Sequence, residues 1–375
     1  MKTATVVVLG QLARSPRMQY HCLSLASNQY KVTVIGYGGL KSCASLEGNP
    51  NIEQNLMPEP FDFKHYMPTL FAYFTKTIWQ ALILMYSLLT SARPDIVLVQ
   101  VLMDRPPDIY QPLSQREKRN FLSQIMPELK KFWVTDLPKT EYHFDWDPSD
   151  SNHTRPAIII SSTSWTEDED FGLLLDALKL FDDQTSPDNL TKTITVDVSP
   201  GKTVNINPKL LPQIVCVITG EGPLKQYYKE RIRQINFSNR VHITLPWLSS
   251  EDYARMVGAS DFGVSLHKSS SGHDLPMKVV DMFGCQVPVI SYRYNCIHEL
   301  VRERENGFLF ENYRELNHRM LLLLNDLCKE LNSAGDDHLS NSILEEFRIS
   351  ILNNFLTERW DDTWNRKARP YLEDL

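Results

Sequence analysis

Ser269-Ser-Ser-Gly-His-Asp-Leu-Pro-Met-Lys-Val-Val-Asp-Met-Phe-Gly-Cys-Gln-Val-Pro-Val-Ile290 decides how this chain is read. A run of hydroxyls around Gly272 comes first, then Pro276, where a helix can start, then a helix carrying Lys278 and Asp281. The apolar strand Val287-Pro-Val-Ile290 closes the stretch. A helix start offers unpaired N–H groups and the positive end of a dipole, so a loop of hydroxyls leading into it makes an anion site. An acidic residue one turn in, Asp281, can accept both hydroxyls of a ribose. The stretch therefore describes a pocket for a sugar nucleotide. The competing reading, Lys278 and Asp281 as a surface ion pair three residues apart, leaves the polar loop without a purpose.

Outward from that pocket the chain alternates strand and helix, the pattern of a parallel α/β sheet. Strands are expected at 4–10, 31–36 and 95–100, with a helix at 15–28 opened by Ser15 and Pro16. Residues 101–156 are rich in proline and include an acidic aromatic patch, Tyr142-His-Phe-Asp-Trp-Asp147; they read as crossover and linker. Alternation restarts at Ala157, with strands at 157–161, 213–219, 241–244 and 262–265, and with a polar insert at 183–209. The expected partition is a first Rossmann-like domain over 1–125, a linker over 126–156, a second, sugar-nucleotide-binding domain over 157–345 and terminal helices over 346–375. The first half offers about three strands where an open wound sheet has five or more.

Length and composition agree with two globular domains: 375 residues, 42% hydrophobic and 23% charged. A net charge of −7 argues against a general nucleic-acid binder. Six scattered cysteines form no Cys-x-x-Cys pair and read as reduced thiols. No apolar leader precedes Val6. The apolar stretch from Met67 to Leu89 contains Lys76 and Gln80, which spoils a membrane span. Its apolar residues recur at Phe71, Phe74, Ile78, Leu82, Met85 and Leu89, the spacing of a helix that packs on a sheet or lies on a membrane surface.

Four further groups carry candidate chemistry. Gly220-Glu-Gly-Pro-Leu-Lys225 follows an apolar strand and opens a helix, so its glycines permit close approach to phosphate and Lys225 supplies charge. The same glycines also suit any tight strand–helix turn. Thr163-Ser-Trp-Thr-Glu-Asp-Glu-Asp170 lies where α/β ligands bind, and Glu169 is either a base or half of a capping box with Thr166. Arg14-Ser-Pro-Arg17 is a diphosphate clamp or a solvated helix start. His273 is an acid–base group or a loop residue. No Ser-His-Asp order, His-Glu-x-x-His or Walker loop supports hydrolase or kinase chemistry.

Taken together, Val6-Val-Val-Leu-Gly10, Arg14 to His21, Ser161 to Asp170, Gly220 to Lys225 and Ser269 to Val289 closely resemble the chitobiosyldiphosphodolichol β-mannosyltransferase family. The resemblance implies a GT-B glycosyltransferase of two Rossmann-like domains, inverting, with GDP-mannose as donor and dolichol-diphosphate-linked chitobiose as acceptor. It implies the endoplasmic reticulum membrane, cytosolic face, as location and later mannosyltransferases as neighbours. No tightly bound cofactor is implied, and Mg2+ is left open. By matching position, Gly220, Gly222, Pro223, Lys225, Ser270, Ser271, Gly272, Lys278 and Asp281 look like donor-binding residues. Asp274, His273 and Glu169 look like the catalytic set, and Arg14, Ser15 and Arg17 like contacts to the acceptor diphosphate from the first domain.

The chain also departs from the family. Gln286 stands where GT-B donor domains usually have glycine, and Gly10-Gln-Leu-Ala replaces the family's Gly-Asp-x-Gly run. Gln100 runs directly into Val101-Leu-Met-Asp-Arg-Pro-Pro107, as though on the order of a hundred residues, the size of a small domain, were missing and the first domain truncated. An N-terminal anchor is missing as well. The alternative these departures raise is a catalytically inactive GDP-sugar-binding paralogue or splice form.

Overall fold

The computed structural model describes residues 1–38, 42–58, 69–91, 94–98, 105–135, 155–199, 201–238, 240–268, 274–332 and 342–373. The Gln100–Val101 junction, the acidic patch at 142–147, and Ser270, Ser271, Gly272 and His273 lie outside these residues. Two compact units divide the chain. One joins Met1–Met103 to Trp360–Leu375, and the other is Asp104–Arg359. The boundary thus falls at 103/104 rather than 125/126.

The first unit opens with strand β1 (Thr3–Gln11), helix α1 (Pro16–Ser27) and strand β2 (Lys31–Tyr37). Helix α2 (Ala44–Glu47), strand β3 (Ile52–Met57), helix α3 (Thr69–Thr90) and strand β4 (Ile96–Leu98) follow. The strands pair in parallel in the order β3-β2-β1-β4. Strand β3 is an addition to the sequence reading. Its residues Ile-Glu-Gln-Asn-Leu-Met lie on a sheet edge with only Met57 fully buried, so they lack an apolar run.

The second unit contains α4 (Gln115–Lys131), β5 (Ala157–Ser162), α5 (Phe171–Gln184), the antiparallel hairpin β6 (Ile194–Ser199) and β7 (Lys202–Ile206), and β8 (Ile214–Thr219). Next come α6 (Lys225–Gln234), β9 (Val241–Thr244), α7 (Ser250–Ala259), β10 (Phe262–Ser265) and α8 (Met277–Gly284). Strands β11 (Val289–Tyr292) and β12 (Gly307–Phe310) and helices α9 (Tyr313–Asn332) and α10 (Ile343–Asn354) complete it. Six parallel strands run β12-β11-β10-β5-β8-β9, a doubly wound order that reverses direction between β5 and β10. Both faces are covered, so the strands are apolar throughout rather than alternating. Ile159, Cys216 and Ile290 pack under α5 and α9; Ile158, Val217 and Val289 pack under α4, α7 and α8. At the end of the sheet away from the ligand side, Arg155 donates two hydrogen bonds to buried Asp261, at 2.6 and 2.7 Å, and Asp261 also accepts from the Ile158 amide.

Two expectations for this unit need correction. The linker expected over 126–156 begins with the end of α4, which is capped by a box between Ser114 and Glu117 and tolerates Pro127. The polar insert contains the β6–β7 hairpin. The chain then returns to the first unit as α11 (Trp360–Lys367) and α12 (Arg369–Glu373). Trp360 donates its indole N–H to the Ser24 hydroxyl at 2.9 Å, and Trp364 donates to His21 Nδ1 at 3.2 Å, so both buried indoles are satisfied on α1.

Helix α8 ends in a Schellman motif. The Val287 amide donates to the Met282 carbonyl and the Gln286 amide to the Phe283 carbonyl, both at 2.9 Å. The geometry puts Gln286 in the left-handed region at φ 57°. A side chain there is strained, and glycine is the residue best suited to the position. Gln286→Gly is expected to raise stability by about 0.5–1 kcal/mol, read from urea unfolding; an unchanged or lower midpoint contradicts the strain.

Candidate functional site

Three loops meet over the carboxyl ends of β5, β8 and β10, where the sheet order reverses and α/β ligands bind. The first two are locked together through backbone. After β5, Thr163 donates its amide to the Thr219 carbonyl at 2.9 Å, and the Trp165 amide donates to the Thr163 hydroxyl at 2.7 Å. Trp165 adopts φ 49°, is fully buried against Phe171 and Tyr228, and donates its indole N–H to the Gly220 carbonyl at 3.2 Å. The Leu224 amide donates back to the Trp165 carbonyl.

This contact is why the 220 loop needs glycine. A Cβ on Gly220, which sits at φ 144°, would lie 1.8 Å from the Thr163 carbonyl oxygen, and one on Gly222 would lie 1.7 Å from that of Ser164. The loop pair itself imposes the Gly-x-Gly pattern. Pro223 precedes α6, and Lys225 is its first residue, paired with Glu221.

Glu169 ties the β5 loop to α8. It is 2% exposed and accepts from the Thr163 hydroxyl and, at 3.1 Å, from the Ser164 amide; Lys278 donates to its other oxygen. The capping role is taken by Asp170, which accepts from the Gly172 amide, so the expected Thr166–Glu169 box does not form. Glu169 is thus buried and committed to three donors, which fix its carboxylate between the β5 loop and α8. Lys278 is likewise not in a surface pair with Asp281.

Pro276 is the cap of α8 rather than its first residue. Asp281 points beneath the end of β5. It is buried, linked to Tyr110 and Tyr253, and the Tyr253 hydroxyl donates to Ser162 at 3.1 Å. Burial pushes the Asp281 carboxyl up to about 8, against the pull of Tyr110, Lys278 and Tyr253, so it is protonated at neutral pH. Its Oδ1 has no partner among the described residues.

Asp274 is brought beside a residue the sequence reading passes over, His267. The imidazole Nε2 lies 2.9 Å from Asp274 Oδ2, and Nδ1 lies 3.6 Å from Asp168 Oδ2. A lone histidine after a strand gives no signal in sequence; only the bridge between Glu169 and His267 and the Lys268 amide donating to the Asp168 carbonyl bring these loops together. Arg14, Ser15 and Arg17 stand at the β1–α1 turn of the first unit, where Ser15 precedes the helix and accepts from the Met18 amide through its carbonyl. Among the described residues no cluster of His, Cys, Asp and Glu is arranged to hold a metal ion.

Residues 201–337 match the family model described as glycosyl transferases group 1. Solved structures share the fold at low identity. Anabaena HepE in complex with UDP and glucose is 14% identical with a TM-score of 0.55, each chain covered in full, and WaaG, a glycosyltransferase of lipopolysaccharide biosynthesis, is 11% identical at 0.52, with 98% and 99% covered. Fold and site together define a GT-B glycosyltransferase, an enzyme that uses a nucleotide-sugar donor. Among curated proteins, the chitobiosyldiphosphodolichol beta-mannosyltransferase of Pongo abelii is 30% identical over 98% of this chain and 92% of that one, and that of Mus musculus is 31% identical over 98% and 88%. The UDP-glycosyltransferase TURAN of Arabidopsis thaliana is 28% identical over 99% and 97%. The chain belongs to the chitobiosyldiphosphodolichol beta-mannosyltransferase family. The alignment with the Pongo abelii protein runs over 459 positions and this chain has 375 residues, so that relative carries positions with no counterpart here.

The Asp281 proton gives a test of the site's interior. Folded protein holds it where the unfolded carboxyl, near 3.8, has lost it, so this group favours folding at low pH and the benefit disappears as pH rises from about 4 to about 8. Asp281→Asn lacks that dependence. The stability difference, wild type minus variant, is expected to fall by at least about 1 kcal/mol between pH 5 and pH 8, the worth of roughly one pKa unit. A difference constant with pH contradicts a buried neutral carboxyl.

Proposed function

We propose that this chain transfers mannose from GDP-mannose to dolichol-diphosphate-linked chitobiose in β-1,4 linkage, at the cytosolic face of the endoplasmic reticulum membrane. The observation that carries the reading is the family relationship, which extends along nearly the whole chain and includes the complete donor-type unit. Lys225 and the starts of α6 and α8 face the donor diphosphate, with Gly220, Gly222 and Pro223 shaping the backbone beneath it. Glu221 yields Lys225 to the phosphate. Ser270, Ser271 and Gly272 serve sugar and phosphate oxygens, while Asp281, whose Oδ1 is buried, supports α8 from beneath the site. Lys278, fixed by Glu169, keeps positive charge near the departing GDP. Arg14, Ser15 and Arg17 serve the acceptor diphosphate. The scheme assigns Mg2+ no residue, and activity in the presence of a chelator checks that assignment. Later mannosyltransferases of the pathway are natural partners for handing over the product.

Transfer to a GlcNAc2-diphosphate lipid, followed by mass spectrometry, tests the reading. A single added hexose from GDP-mannose and none from UDP-glucose is expected. Folded protein that binds GDP-mannose without transfer returns the inactive alternative, and exclusive use of a UDP-sugar overturns the donor assignment.

A lipid-linked acceptor requires a membrane surface, and α3 fits one. Its apolar stripe of Phe71, Ile78, Leu82, Met85 and Leu89 faces outward, Leu89 being 77% exposed, while Ile83 and Leu84 pack on Ile35, Tyr37 and Met57. The packing uses the β2–β3 side of the sheet, so strands added beside β4 would extend away from the stripe. No described helix is long and apolar enough to cross a membrane. Each large apolar side chain buried in lipid contributes about 1.5–3 kcal/mol. Leu82→Glu with Met85→Glu is therefore expected to weaken sedimentation with phosphatidylcholine–phosphatidylinositol vesicles at least tenfold while GDP-mannose affinity holds. Equal sedimentation contradicts α3 as the docking face.

A further inference from the structure

An inverting transfer needs one group to take the acceptor hydroxyl's proton as the new bond forms. The described part of the site narrows the choice. Glu169 is 2% exposed and held by Thr163, Ser164 and Lys278, and Asp281 lies buried beneath the sheet end. His267 differs from both. Its side chain is 16% exposed, so it reaches the surface of the site without being loose in solvent. Its two ring nitrogens are held unequally: Nε2 is at hydrogen-bond distance from Asp274, whereas Nδ1 stands 3.6 Å from Asp168, beyond that distance. The ring is fixed on a third side by the edge of Tyr294, 5.9 Å between centroids, and the Tyr294 hydroxyl donates to the Asp274 carbonyl at 3.0 Å, which pins the carboxylate's own backbone.

We infer that His267 is the catalytic base of the transfer, with Asp274 as its orienting carboxylate. Nε2–H donates to Asp274, which leaves the lone pair on Nδ1 directed toward the acceptor. The acceptor hydroxyl oxygen bonds to the anomeric carbon, the bond from that carbon to the donor phosphate oxygen breaks, and the electron pair leaves on GDP. The hydroxyl proton passes to Nδ1, and the imidazolium is held between Asp274 and Asp168 until it returns the proton to water. The charged groups around the ring are Asp168 and Glu169 from the β5 loop, Asp274 from the approach to α8, Lys278 from α8 itself and Lys268 next along the chain. Lys278 is paired to Glu169 and Lys268 is turned over the Tyr292 ring, while the carboxylates of Asp274 and Asp168 face the two ring nitrogens. The sequence reading places Asp274 with His273 and Glu169 in the catalytic set and leaves the base open; in this scheme His267 takes the proton and Asp274 fixes its tautomer.

The inference rests on the transfer reaction proposed above. Its test compares wild type, His267→Gln and Asp274→Asn as full-length chains, measuring GDP-mannose affinity by calorimetry and transfer to the GlcNAc2-diphosphate lipid. His267→Gln is expected to lower kcat 10²–10⁴-fold with donor affinity within twofold of wild type, and to remove the acidic limb of the pH–kcat/KM profile. Asp274→Asn is expected to lower kcat while leaving that limb in place, shifted. Transfer by His267→Gln within threefold of wild type overturns the base, as does a loss of donor affinity that matches the loss of rate. Wild type that neither binds GDP-mannose nor transfers overturns the parent reading together with this one.

Discussion

The ion pair between Glu169 and Lys278 holds the three-loop site of the second unit in its shape. It joins the loop after β5 to the first turn of α8 across the point where the sheet order reverses. A carboxylate 2% exposed is tolerable only when paired and hydrogen-bonded, and the Thr163 hydroxyl, the Ser164 amide and the Lys278 ammonium supply those partners. Because Thr163 and Ser164 also carry the carbonyls against which Gly220 and Gly222 pack, the same pair fixes the 220 loop at second hand. The bridge from Glu169 to His267 extends the arrangement to the β10 loop. Three loops with few apolar contacts of their own thereby become one surface.

Motif and strand were legible in the sequence wherever local chemistry is strong. The apolar runs of β5, β8, β9 and β10 and the helix at α8 can be read directly, because strands buried on both faces leave no room for polar residues. What escaped was set by tertiary contact. Strand β3 is polar because it is an edge, and α4 is hidden by Pro127 although Ser114 and Glu117 announce its start. The return of Trp360–Leu375 to the first unit has no local signal at all; two buried tryptophans on α1 hold it there. In the site, the sequence offered residue types, and the fold gives several of them a different set of contacts. The glycines answer to a neighbouring loop, and Glu169 to a lysine. His267 gains meaning only from carboxylates that folding brings to it.

The two units are wound alike but not equally. The second carries six parallel strands with helices on both faces, and the first, among the described residues, carries four, ending on the short strand β4 with Val97 half-exposed. In the same winding order two further strands would lie beyond β4.

A double-mutant cycle on Glu169→Gln and Lys278→Met, read by urea unfolding and GDP-mannose affinity, tests the central constraint most directly. If the pair organises the site, each single change strands a buried partner and costs about 3–5 kcal/mol, and the double change costs clearly less than the sum, with donor affinity lost in all three variants. Additivity within about 0.5 kcal/mol, with donor affinity retained, would show that the loops keep their arrangement without this ion pair.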